Sequence, residues 1–72
     1  MEKIERFREG VNILVNAGLT GLWSDEDEIS VYAVAWEGRD PPQPSEADCK
    51  RLRELGWSNI ASDEYPDWRF SP

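Results

Sequence analysis

Gly18-Leu19-Thr20-Gly21-Leu22-Trp23-Ser24-Asp25-Glu26 and Gly56-Trp57-Ser58-Asn59-Ile60-Ala61-Ser62-Asp63-Glu64 are the two stretches whose reading decides the fold. An offset of 38 residues lays one on the other, with four identities in nine positions. Each opens on a glycine, runs through a few residues of strand composition and ends in acids. Upstream, the same offset lays Val11 and Leu14 on Cys49 and Leu52, so the apolar stripes that precede the two glycines are in phase. Each half therefore reads as helix, glycine stop, short strand, acidic turn, strand. The agreement in element order carries more weight than the matching letters.

Outward from the first stretch, the periodicity predicts a helix over residues 2–17. Ile4, Phe7, Val11, Leu14 and Val15 recur at helical spacing and form one stripe. Ile13 projects nearly opposite that stripe and is a candidate contact point. Gly10 costs the helix up to ~1 kcal/mol relative to Ala, and Gly18 is the expected left-handed stop. Leu19–Trp23 reads as a short strand and Asp25-Glu26-Asp27-Glu28 as the turn. Ile29–Trp36 follows with strand composition. Ser30, Tyr32, Val34 and Trp36 share one face, and Ile29, Val31, Ala33 and Ala35 share the other. Both faces are partly apolar, as suits an inner strand.

Residues 37–44 contain Pro41, Pro42 and Pro44 and read as a stiff connector. Ser45 is placed to cap a second helix over 46–55, with Cys49, Leu52 and Leu55 as its apolar stripe and Glu46, Lys50 and Glu54 as a charge ladder. Gly56 ends it. Trp57–Ala61 and Trp68–Phe70 read as two further strands around the turn Ser62–Asp67, where Pro66 helps fix the bend. Trp57 and Trp68, facing each other across that turn, are core candidates.

The expected fold is thus α+β, one domain over residues 1–72 in αββαββ order. Its pseudo-repeat halves span about 1–36 and 45–72. Two such units make a four-stranded, mostly antiparallel sheet with both helices on one face. A chain of 72 residues has no room for a second core. Its single cysteine, Cys49, lies on an apolar stripe and reads as an inert, buried thiol. The charged opening Met1-Glu2-Lys3-Ile4-Glu5-Arg6 does not resemble a signal peptide, and the apolar runs are too short for a membrane span. With a lone thiol, the expected setting is the reducing cytoplasm.

The net charge of −7 gathers in two turns. Asp25, Glu26, Asp27 and Glu28 carry −4; Asp63, Glu64 and Asp67 carry −3; the rest of the chain is neutral. So acidic a chain repels phosphate backbones, which excludes direct nucleic-acid binding and suits a basic partner. The two tips lie at opposite ends of the sheet if the connector is compact, and converge if it crosses the sheet edge.

With no histidine, no cysteine pair and carboxylates in exposed turns, catalysis is not expected. No metal site is expected either, because the acidic run lacks the glycine and distant glutamate of a calcium loop. No cofactor motif is present. The tail Leu55-Gly56-Trp57 … Trp68-Arg69-Phe70 resembles small proteins of bacteria and their phages over under a quarter of the chain. What remains is a non-enzymatic module that binds a protein partner, through Tyr32, Val34 and Trp36 on an open sheet face, through Ile13, or through the acidic tips. A phage-type acidic mimic of nucleic acid, blocking a DNA- or RNA-binding protein, is the alternative. A homodimer joined at the open face is the third.

Overall fold

The computed structural model describes residues 1–34, 38, 40–59 and 67–71. It contains α1 (Lys3–Asn16), β1 (Gly21–Ser24), β2 (Ile29–Tyr32), α2 (Glu46–Glu54), β3 (Trp57–Asn59) and β4 (Asp67–Phe70). Among the described residues the four strands form one sheet in the order β1-β2-β4-β3, every neighbouring pair antiparallel. The αββαββ order is the expected one. Strand limits shift: β1 starts at Gly21 rather than Leu19, and β2 ends at Tyr32, leaving Ala33 and Val34 outside it. Trp36, and residues 60–61 of the third expected strand, lie outside the described residues.

Both helices end where glycine permits a backbone that other residues resist. Gly18 has φ 101° and Gly56 has φ 96°. The Ser45 side chain accepts from the Asp48 N–H at 3.2 Å, the cap read from the sequence. Acids in the first turn of α2 (Glu46, Asp48) and bases in its last (Arg51, Arg53) complement the helix dipole. The connector returns to α1: Pro42 lies close against Gly18, while Pro44 is buried and its carbonyl accepts the half-buried Cys49 thiol at 3.6 Å.

Register determines the two sheet faces. Trp57 pairs with Phe70, and Trp68 pairs with Val31 and Asn59; Val31, Trp57, Trp68 and Phe70 are all buried on the face the helices cover. Leu14 from α1 and Leu52 from α2 are fully buried against them, with Leu19 and Leu55. Phe7 stacks on Trp57 at 5.7 Å and meets Phe70 edge-on at 5.4 Å, while Arg53 of α2 lies over Trp68 at 5.7 Å. At the 38-residue offset Leu14 falls on Leu52, alike in burial, but Val31 falls on Arg69, which belongs to the other face.

The phase of α1 differs from the stripe expected. Ile13, read as facing away, is half-buried against the core, whereas Ile4 and Val15 are exposed. Gly10 accounts for the turn. The Trp57 indole lies directly on it, so close that a Cβ there would come within 2.0 Å of Nε1. That nitrogen donates to the Arg6 carbonyl at 3.3 Å, inside the helix. Centring the buried face on Gly10 swings Ile13 inward and Ile4 outward.

A second tie joins the helices. Arg51 of α2 donates both Nε and Nη2 to the two carboxylate oxygens of Glu9 in α1. The Arg51 hydrogen bond holds the Glu9 carboxyl below its ordinary 4.5 and raises Arg51 in turn.

Two outcomes follow from this packing. Gly10→Ala should lose about 1–3 kcal/mol in urea unfolding, overpacking outweighing the better helix propensity, while Asn12→Ala on the exposed side should lose nothing. Because the folded Glu9 carboxyl titrates below its unfolded value, the pair's contribution is present above pH 4.5 and lost as pH falls through the depressed value. Glu9→Gln should therefore lower Tm at pH 7, and the difference should shrink as pH falls below 4.5, as thermal scans across that range would register.

Candidate functional site

The face opposite the helices carries two rows. Trp23, Ser30, Arg69 and Ser58 stand side by side across the four strands, and Gly21, Tyr32 and Asp67 form the adjacent row. Ser30 is buried between its taller neighbours, Trp23 and Arg69. Tyr32 lays its ring across Gly21, where a Cβ would stand 2.3 Å from a ring carbon. Trp23 is 54% exposed, and Val34, just past the end of β2, is exposed as well. One side of this face is thus apolar and wet, the middle charged, and the β3 side polar.

Arg69 governs the middle. Its Nη1 donates to Glu28 at 3.1 Å and its Nε to Asp67 at 3.4 Å. The first acid belongs to the β1–β2 turn and the second to the start of β4, so one guanidinium draws an acid from each cluster onto the sheet. Glu28 and Asp67 are accordingly half-buried and paired, which corrects their reading as free, solvated tip charges. Asp25, Glu26 and Asp27 remain exposed; the Asp25 N–H donates to the Glu28 carbonyl at 2.8 Å, and the Asp25 carboxylate accepts from the Glu26 N–H at 2.7 Å. Among the described residues no three acidic, cysteine or histidine side chains gather into a metal-holding group.

The antiparallel pairing of β2 with β4 also decides where the acidic runs stand. Asp25–Glu28 adjoins the sheet end marked by Ser24 and Ile29, and Asp67 lies at the end marked by Gly21 and Tyr32. Asp67 is thus at the end of the sheet away from Asp25–Glu28. Asp63 and Glu64, like Trp36, are outside the described residues. Of the candidate contact residues, Tyr32 is on the helix-free face, Val34 is exposed just past the end of β2, and Ile13 is partly buried against the core; Trp23 and Arg69 join the face through pairings no short-range pattern reveals.

A second apolar surface lies at the end of the sheet beside the Asp25–Glu28 turn. Lys3, Ile4 and Phe7 from α1, with Ile29 and Phe70 from the sheet, line an open groove of about 370 Å³. Comparison with protein-family models, with curated proteins and with solved structures finds no match. No helix among the described residues is long and apolar enough to cross a membrane.

Replacing Arg69 by Met keeps the stem and removes both ion pairs. The expected loss is up to about 1 kcal/mol at low salt, shrinking toward zero at 1 M. Urea unfolding of both proteins at the two salt concentrations measures it.

Proposed function

We propose that this chain is a non-enzymatic module that binds a protein partner on the helix-free sheet face, in the cytoplasm. The observation that carries the reading is Trp23: a large aromatic, more than half exposed, on a sheet face that neither helix covers. Exposed Val34 and half-buried Tyr32 widen the patch, and Arg69, already held by two carboxylates, borders it. An aromatic anchor beside ordered polar groups is the composition that favours protein partners.

The acidic-mimic reading has less support. Two of its seven carboxylates, Glu28 and Asp67, are engaged by Arg69, and Asp67 lies at the end of the sheet away from Asp25–Glu28. A homodimer through the same face would bring together two copies that each carry −7.

Trp23→Ser tests the reading, since Trp23 lies outside the core and its loss should leave Tm unchanged. In a tagged pull-down from lysate of the protein's own source, washed at about 1 M salt to suppress charge attraction, the wild type should retain a partner that Trp23→Ser does not. Retention by both forms would reject the sheet face. Loss of the partner by the wild type in high salt, together with its loss at low salt in an Asp25, Glu26, Asp27 to amide variant, would favour the mimic. Sedimentation as a monomer at high concentration would remove the dimer.

A further inference from the structure

The pairing of β1 explains why Trp23 is exposed. β1 is an outer strand, so one flank of the indole has no neighbouring strand. On the other flank the paired residue is Ser30, too small to cover it. The same row continues with Arg69 and Ser58, so the indole is an apolar surface with polar neighbours. An apolar partner residue would find a single ring to rest on.

Charge identifies what rests there. Among the described residues, the strands and the β1–β2 turn hold five acids and one base, Arg69. The two helices, on the other face, hold six bases and five acids. Arg69 is outnumbered by its own partners, Glu28 and Asp67. Its hydrogen bond to Glu28 shows that this carboxylate turns to the face of Trp23 and Ser30. Asp25 stands opposite Glu28, its N–H donating to the Glu28 carbonyl at 2.8 Å, and is exposed two residues beyond Trp23. An open indole beside carboxylates attracts a cation twice over, through the ring and through the acids. A second copy, face to face, would bring the same acids to this surface. A caged quaternary ammonium calls for several aromatic faces around it, and Tyr32, the other aromatic on this face among the described residues, is packed over Gly21. A planar guanidinium stacks on one ring.

We propose that Trp23 is the platform for an arginine side chain of the partner protein, stacked on the indole and balanced by Asp25, Glu26 and Asp27. This inference rests on the sheet-face reading and adds the residue type that the face selects.

The probes are peptides of three Arg-Gly-Ser, Lys-Gly-Ser or citrulline-Gly-Ser repeats. Each is titrated into the isotopically labelled protein at about 0.15 M salt, and the backbone and indole N–H resonances are followed by NMR. The arginine peptide should shift the Trp23 indole N–H most. It should bind the wild type about two- to fivefold more tightly than Trp23→Leu, which keeps every charge and an apolar side chain. The lysine peptide should bind the wild type more weakly than the arginine peptide, and the neutral citrulline peptide most weakly of all. Asp25→Asn with Asp27→Asn should weaken the arginine peptide and flatten its salt dependence. Arginine and lysine peptides bound alike, equal binding by the wild type and Trp23→Leu, largest shifts away from Trp23, or no binding of the arginine peptide would each overturn the arginine platform. None of these touches the sheet face itself: a lysate partner retained by the wild type and lost by Trp23→Ser would still establish it, with another residue type seated there. A partner that both forms retain would remove the face and the arginine together.

Discussion

The contact between Trp57 and Gly10 joins the two layers of this fold. An indole packed this closely against a helix backbone needs a residue with no side chain beneath it, and its N–H, buried with the ring, needs an acceptor. Gly10 provides the first and the Arg6 carbonyl the second. The same indole packs against Phe7 and Phe70, so one side chain of β3 ties α1 to the adjacent strand β4. The depth of the core, the rotation of α1 and the exposure of Ile4 all depend on it. A larger residue at position 10 would lift the helix; a smaller one at 57 would leave the helix free to turn.

Arg69 plays a comparable part on the other face. A four-stranded sheet with helices on one side leaves the opposite side to solvent, and a cluster of acids near it would repel. One guanidinium among Trp23, Tyr32 and Ser30 pairs with an acid from each direction, so Glu28 and Asp67 are not free charges. Asp25, Glu26 and Asp27 are left as the concentrated negative charge at the Ile29 end. Trp23, two residues before that turn, is exposed on the sheet face, and this adjacency underlies the functional reading.

Much of the fold was legible because its signals are local. Glycine after an apolar stripe, serine before one, and prolines between them are read within a few residues, and Gly18, Gly56 and Ser45 act as their chemistry predicts. Trp57 and Trp68 are core, as their place around a turn implied. What escaped the sequence spans half the chain or more. Gly10 reads as a propensity cost until Trp57, 47 positions later, is seen lying on it. Centred on the visible apolar residues alone, the stripe puts Ile13 outside and Ile4 inside, the reverse of the packing. Arg69 could be matched with any acid by charge alone, and only strand register brings Glu28 to it.

The shortness of β1 limits how any partner can approach. It is an outer strand of four residues, flanked by Thr20 and Asp25, neither of them in a strand. In an antiparallel ladder alternate residues turn their peptide groups inward, so such an edge offers only about two residues' worth of outward donors and acceptors. Extending the sheet by another chain's backbone would gain little there. Recognition at this end falls instead to side chains, which ties selectivity to the partner's residue types rather than to its capacity to form a strand.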